Sequence, residues 1–428
     1  MTKRRLNELV VGMVLSEDVI TPGGRFLMPR GTVLDAGHLK SLQAWSIAAV
    51  EVGDDLPPDA PAGATDGDGG AIRAAAEALV VERLCRIDAT QEAGRIVRRL
   101  AVEREIERLS RPEGLRGAAE VPERRTAPEG ASLPPVTTEG LLHDDPQLVS
   151  TPEVYDRISR VLRDPQSTVE DAAEAIRHDQ SLAAKLLRLV NSPFYARTMR
   201  AVHGRFPSKV DNLSRAVMMV GARQLSTLAL GVSVLPLFQD IPETWVNMRL
   251  FWEHSLGCAV AAQAITEATG RDNPEAAFVG GLLHDIGRLI LFKQAPRHMA
   301  AAMRLALDDR QPLALAEQEI LGFDHAALGG LLLHKWEFPV HLEAMVSDHH
   351  ALREGSGREA AAVIHLADVL ANAMAWGGSG SRYTPPLDAA AWALVNLGGA
   401  ALSALLPAME ASLGETMSDF FPETGGRP

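Results

Sequence analysis

Seven side chains in the second half of the chain carry most of its chemical potential. They are His254, the adjacent pair His284 and Asp285, His325, the adjacent pair His349 and His350, and Asp368. His284 and Asp285 stand inside the apolar run GGLLHDIGRLIL. Burying an imidazole beside a carboxylate is costly unless something binds both, and a divalent cation is the economical partner. Such donors suit zinc, iron or manganese, as one ion or two. His254 follows Phe251-Trp252-Glu253 and adds a second imidazole one helix away, while Asp368, within AAAVIHLADVLANAM, is flanked by apolar residues and should face inward. His325 follows Asp324 near a helix start, where the helix dipole favours the neutral imidazole that coordinates metal. His349 and His350 are expected at the end of a helix beginning near Pro339, pointing about 100° apart and therefore suited to two ions rather than one. The expectation is that His254, His284, Asp285 and Asp368 converge in space.

The elements that must position these groups are helices. Ala and Leu recur at helical spacing, strand-forming aromatics are scarce, and the fold class expected is mainly α. Thr151-Pro152-Glu153 supplies an N-cap, a Pro at the first helical position and an acid in the first turn, and Ser167 to Val169 opens another helix. In DQSLAAKLLRLVNS, Leu182, Leu186, Leu189 and Val190 share one face, and Asp179 suffices as the cap beside His178. Asn273-Pro274-Glu275 caps the helix that leads into His284 and Asp285. Ser192 near Tyr195 has no local base. Arg197, Arg200, Arg205 and Lys209 form a basic loop best explained as solvated.

Upstream, residues 1–52 alternate short apolar runs with Pro/Gly turn signals, then a helix through Leu39, Leu42 and Trp45 and a closing strand over Ala48 to Val52. This reads as a small α+β module. Residues 53–70 are a Pro/Gly/Asp linker, 71–111 a charged helical region, 112–133 a second linker, 134–376 the main helical domain and 377–428 a helical extension and tail whose role the sequence does not reveal. Leu79, Leu84, Ile87, Ile96, Leu100, Ile106 and Leu109 form an apolar stripe on the 71–111 region. That stripe needs a partner, either the main domain or another copy of the chain, so a homo-oligomer is one expectation.

A 428-residue chain with 46% hydrophobic residues can bury a large core. Its net charge of -13 argues against a general nucleic-acid footprint. Cys85 and Cys258, far apart, fit a reducing compartment, give no thiolate metal site and read as small core or interface residues. Asn7 and Glu8 interrupt any secretory apolar core, and no run reaches about eighteen apolar residues, so no membrane span and a cytoplasmic location are expected.

The strings LLRLVNSPFYA and LSRAVMMVGARQLSTLAL, with Val190-Asn191-Ser192, Ala216-Val217 and Gly221, resemble the first half of HDOD domains. The order of a first His, a His-Asp pair, later His residues and a closing Asp resembles the wider HD superfamily. Carried over by position, His254, His284, Asp285 and Asp368 match its basic metal set, and His325, His349 and His350 match the additional ligands of the two-metal HD-GYP branch. Leu6, Gly12-Met13, Gly23-Gly24 and Gly31-Thr32-Val33-Leu34 resemble the N-terminal module of many HD-GYP proteins. Departures from the catalytic pattern are clear: no Gly-Tyr-Pro follows His350, the Lys usual after His-Asp-Ile-Gly is Arg288, and the acidic ligand one turn before the first His is Leu250. Losing a ligand and the substrate loop weakens the case for two-metal hydrolysis. The resemblance therefore implies a bacterial signalling or regulatory HDOD protein, an output platform for signalling proteins or a small nucleotide ligand, not firmly an enzyme. The rival expectation is a metal-dependent phosphodiesterase acting on a cyclic dinucleotide or another nucleotide.

Overall fold

The computed structural model describes residues 67–111, 133–143, 153–164, 166–192, 210–238, 241–242 and 245–421, with short stretches between residues 2 and 52. The basic loop around Arg197 to Lys209, Tyr195, the Thr151-Pro152 cap and the N-terminal turn residues lie outside the described residues. The chain divides into two compact units, Met1–Gly67 and Asp68–Pro428.

In the first unit, β1 (Thr2–Arg5) pairs antiparallel with β4 (Ala49–Val52), Thr2 opposite Val52 and Arg5 opposite Ala49. β2 (Val19–Ile20) pairs with β3 (Phe26–Met28) with a register irregularity. Leu15, Val19, Leu34, Leu42, Ile47 and Val50 are packed together and buried.

The second unit is helical throughout its regular elements. α1 (Gly67–Arg83) and α2 (Glu92–Ser110) come first, then α3 (Thr138–His143), α4 (Glu153–Arg163), α5 (Val169–Arg177), α6 (Gln180–Val190), α7 (Leu213–Val220) and α8 (Ala222–Ser233). The site-bearing half follows: α9 (Met248–Ala268), α10 (Pro274–Leu283), α11 (Ile286–Gln294), α12 (Pro296–Asp308), α13 (Leu313–Leu321), α14 (His325–Lys335), α15 (Val340–Ser347) and α16 (Arg358–Ala373). α17 (Ala389–Val395) and α18 (Gly399–Phe420) close the chain. α9 is apolar on every side and lies against α10, α16 and α18, as a core helix must. Among the described residues no single helix is long and apolar enough to cross a membrane.

Local sequence accounts for the helix starts. Thr168 and Asp171 form a reciprocal capping box at α5, and the Asp179 carboxylate accepts the Leu182 N–H at 2.9 Å at α6. The charged region departs from its expected form. A turn separates α1 from α2, and α1 begins inside the stretch 53–70 read as linker. Much of its stripe is covered by its own chain: Leu84, Ile87 and Leu100 join the main core beside Val80 and Val97, Ile96 packs against it, and α2 lies against α16 and α18. Burial of each large side chain is worth roughly 1.5–3 kcal/mol, so most of the stripe is satisfied within its own chain. Leu79 is the part of it left 36% exposed. The C-terminal helices belong to the same core, through Leu402, Met409, Leu413 and Phe420. Cys258 is buried as expected, whereas Cys85 is exposed in the turn between α1 and α2, so it is not a core residue.

Candidate metal centre

α9 starts at Asn247, whose side chain accepts the Leu250 N–H at 3.1 Å, and one further turn places His254 in the fully packed stretch of the helix. α10 starts at Asn273, held in the left-handed conformation with φ 65°, with Pro274 after it. Its end must come very close to α9. A Cβ on Gly281 would lie 2.7 Å from the Ala259 backbone nitrogen, so only glycine permits the approach that brings His284 to His254.

His284 and Asp285 do not sit in mid-helix, as the continuous apolar run suggested. They form the break between α10 and α11. The break frees both side chains to point into one space, and His284 Nδ1 donates to the Gly281 carbonyl at 2.7 Å. A carbonyl can only accept, so Nδ1 carries a proton and Nε2 is the nitrogen that would face a metal. Gly287 makes the second close approach: a Cβ there would meet the His325 carbonyl oxygen at 2.1 Å, so α11 lies directly against the first turn of α14.

His254, His284, Asp285 and Asp368 converge. His254 Nε2 lies 3.6 Å from Asp285 Oδ2 and 3.2 Å from Asp368 Oδ1; His284 Nε2 lies 3.3 Å and 3.5 Å from the same two oxygens. Donors about 2.0–2.1 Å from a common tetrahedral ion are about 3.3–3.4 Å apart, close to these four separations, and the donor atoms of His254, His284 and Asp285, and those of His284, His349 and Asp368, form two groups each within 4.8 Å. Although the shorter of the four separations are short enough for a hydrogen bond, the angles are not favourable, and His254 Nε2 and His284 Nε2 are buried without a well-formed partner. Buried polar atoms are rarely left so, and an ion satisfies both at once. Asn372 donates to Asp368 Oδ1 at 2.7 Å and orients it from one turn along α16. The residues present therefore fit a divalent metal, with His254, His284, Asp285 and Asp368 as the group that would hold it.

The neighbouring group is built differently. His325 Nε2 is 2.8 Å from Asp285 Oδ1, and its Nδ1 is 2.5 Å from Glu317 Oε2. Glu317 also accepts the His325 backbone N–H at 2.9 Å, and Asp324 accepts that of Ala327, so two carboxylates cap α14. Arg288 donates to Asp285 Oδ2 at 2.8 Å, to Glu317 Oε1 at 3.0 Å and to Ser379 Oγ at 2.6 Å. His350 Nε2 lies 3.1 Å from His325 Nε2. His349 faces both groups. Its Nδ1 donates to the Val346 carbonyl at 2.7 Å, and its buried Nε2 is unpartnered.

His349 and His350 follow the end of α15 instead of lying on it. The helical angle between them does not apply. Their rings are 4.1 Å apart by centroid, and donor atoms of His325, His349 and His350 lie within 4.8 Å of one another, so the pair is able to face one point.

Electrostatics separates the members. Burial opposes ionisation of Asp285, but Arg288, His284 and His325 hold it well below the usual carboxylate range. Burial likewise opposes charge on Asp368, which His254 and His284 hold well below that range. Against burial, Asp285 raises His284 well above the ordinary imidazole value, so metal binding there would displace a proton. Burial, with neighbouring imidazoles, lowers His349 to about 3. His325 departs from the helix-start expectation of a neutral ring: burial and Arg288 disfavour its charge, yet Glu317 and Asp285 raise it to about 9.

Sequence reasoning missed Glu317 and Asn372, and treated Arg288 only as a departure. Glu317 had a signal, an acid within LALAEQEIL on a predominantly apolar helix. Asn372 had one too, lying one turn after Asp368.

Residues 148–352 match the HDOD domain family. An HDOD domain protein of unknown function from Geobacter sulfurreducens is 23% identical, with a TM-score of 0.51 over 64% of this chain and 93% of its own. A proposed phosphohydrolase of Shewanella amazonensis SB2B is 23% identical, with a TM-score of 0.50 over 65% of this chain and 99% of its own. An uncharacterized protein of Treponema pallidum (strain Nichols) is 24% identical over 212 residues, 49% of this chain; the matched part spans 38% of that relative's length. At these identities the structural likeness establishes the fold.

Proposed function

From the premise that this chain carries an HDOD domain, we propose that it is a regulatory protein whose helical platform is organised around a divalent metal centre of the HD type. One observation carries this: two buried, unpartnered imidazole nitrogens and two ionised carboxylates meet at ion-binding distances. His254, His284, Asp285 and Asp368 would hold the ion, which would supply Lewis acidity and fixed positive charge. Zinc, iron and manganese all suit this donor set. On this reading the N-terminal strands, which resemble the N-terminal module of HD-GYP proteins, supply input, and signalling proteins or a small nucleotide are the partners.

A second reading is hydrolysis of a phosphoester such as a cyclic dinucleotide. It is favoured by the second group of imidazoles beside the centre, since donor atoms of His325, His349 and His350 lie within 4.8 Å of one another. It is disfavoured by Leu250 in place of an acidic ligand and by the sequence after His350.

Metal analysis of protein purified without added metal, paired with a nucleotide hydrolysis screen, tests both. Stoichiometric metal without turnover is the expected result. Turnover would promote the hydrolytic reading, and protein that binds no metal under any loading would overturn both.

A further inference from the structure

Arg288 is the only buried arginine or lysine among the described residues. It lies within the cluster of histidines and carboxylates. Nη1 binds Asp285 Oδ2, Nε binds Glu317 Oε1, and Nη2 lies 2.8 Å from Nδ1 and 3.1 Å from Nε2 of His325. His325, which a second ion beside the first would use together with His349 and His350, is thus in direct contact with the guanidinium, as is Asp285, the carboxylate between the two sides.

We propose that the Arg288 guanidinium takes the place of a second metal ion, so that the centre holds one ion and the His325–His350 side holds none. This rests on the metal-centre reading above and adds to it the number of ions and the residue that sets it.

Three observations carry the inference. The first is position. An ion bound to His325 Nε2 and Asp285 Oδ1 would lie about 2.0–2.2 Å from each, crowding a guanidinium nitrogen only 3.1 Å from the same Nε2. The second is charge. Asp285, Asp368 and Glu317 are buried carboxylates, and with every imidazole counted as neutral Arg288 and one divalent ion already match their three charges. A second divalent ion would leave two uncompensated positive charges in a dry core, which is strongly unfavourable. The third is saturation. Both ring nitrogens of His325 already face carboxylate oxygens closely, at 2.5 and 2.8 Å, whereas His254 Nε2 and His284 Nε2 stand 3.2–3.6 Å from theirs without a formed hydrogen bond.

The test is to strip the full-length protein with chelator, load it with Mn²⁺, desalt it, and measure manganese per chain with the electron paramagnetic resonance spectrum. Wild type should retain one ion with the signal of an isolated Mn²⁺. Arg288→Met should retain two, with an exchange-coupled spectrum, while Arg288→Lys, which keeps a cation, should retain one. His350→Ala should still retain one ion, with affinity within about 2-fold of wild type, because that side carries no metal; this variant and wild type decide the matter if Arg288→Met fails to fold. Two coupled ions in wild type, one ion in folded Arg288→Met, or an ion lost in His350→Ala would each overturn the inference while leaving a metal centre in place. Wild type that retains no manganese, zinc or iron would overturn the metal-centre reading itself and this inference with it.

Discussion

Two groups of histidines lie side by side in the same dry core, and the chain around them treats them differently. On the His254–His284 side, the protein holds His284 through the Gly281 carbonyl and Asp368 through Asn372, and leaves the two imidazole Nε2 atoms without a formed hydrogen bond. On the His325 side it supplies carboxylates, a guanidinium and a hydroxyl until His325 is enclosed by protein groups. Residue type alone makes the two sides look alike, since both offer imidazoles and share Asp285. Their difference lies in whether polar atoms already have partners, and that separates a place that awaits a ligand from one that is complete.

The contrast should break hardest at Arg288. In metal-free protein, Arg288→Ala leaves Asp285 and Glu317 without their permanent cation, and removing one partner of a buried ion pair costs roughly 3–5 kcal/mol. Denaturant unfolding reads this directly; a cost under about 1 kcal/mol would mean that the His325 side is no more dependent on its own contacts than the other. His284→Ala should behave differently. It should destabilise metal-free protein too, through the cavity and the lost attraction to Asp285, but unlike Arg288→Ala it should abolish metal retention measured by elemental analysis. Retained metal would show that His284 is not among the ligands.

Acidity sharpens the comparison at smaller scale. His349 titrates near 3 when folded against an ordinary 6.5. The unfolded chain takes up that proton first, so its contribution is complete above pH 6.5 and is lost as pH falls towards 3. His325 titrates near 9; its contribution is present below pH 6.5 and is lost as pH rises through 9. Each limb should slope by up to about 1.4 kcal/mol per pH unit in metal-free protein. His349→Ala should flatten the acid limb and His325→Gln the alkaline one in unfolding curves across that range. If either variant flattened the opposite limb, the charge assignments of the two sides would be reversed. The smallest effect is expected remote from the cluster. Arg83 joins α1 to Glu105 and to the Ala373 carbonyl at the end of α16, and Arg83→Ala should lower stability by about 1 kcal/mol with metal content unchanged.

The sequence was most legible where the signal is local. The caps at Asp179, Asn273 and Asp324 stand where their residue types place them, and His254, His284, Asp285 and Asp368 could be singled out as charge or imidazole within apolar helices. What was not legible depends on partners distant in sequence. An apolar run does not reveal a helix break, so His284 and Asp285 read as mid-helix. The apolar stripe of α1 and α2 shows that something covers it, but not that α16 and α18 do. The dipole at the start of α14 favours a neutral His325, and only the fold shows Glu317, eight residues earlier, outweighing it. Arg288 read as a missing lysine because its role exists only once α11, α13 and α14 are packed together.

The central claim is that the first side holds an ion and the second does not, and anomalous diffraction from crystals of metal-loaded protein tests it most directly. The account predicts one anomalous peak, within about 2.0–2.2 Å of His254 Nε2, His284 Nε2, Asp285 Oδ2 and Asp368 Oδ1. A peak between His325 and His350, or no peak among the four ligands in loaded protein, would contradict it.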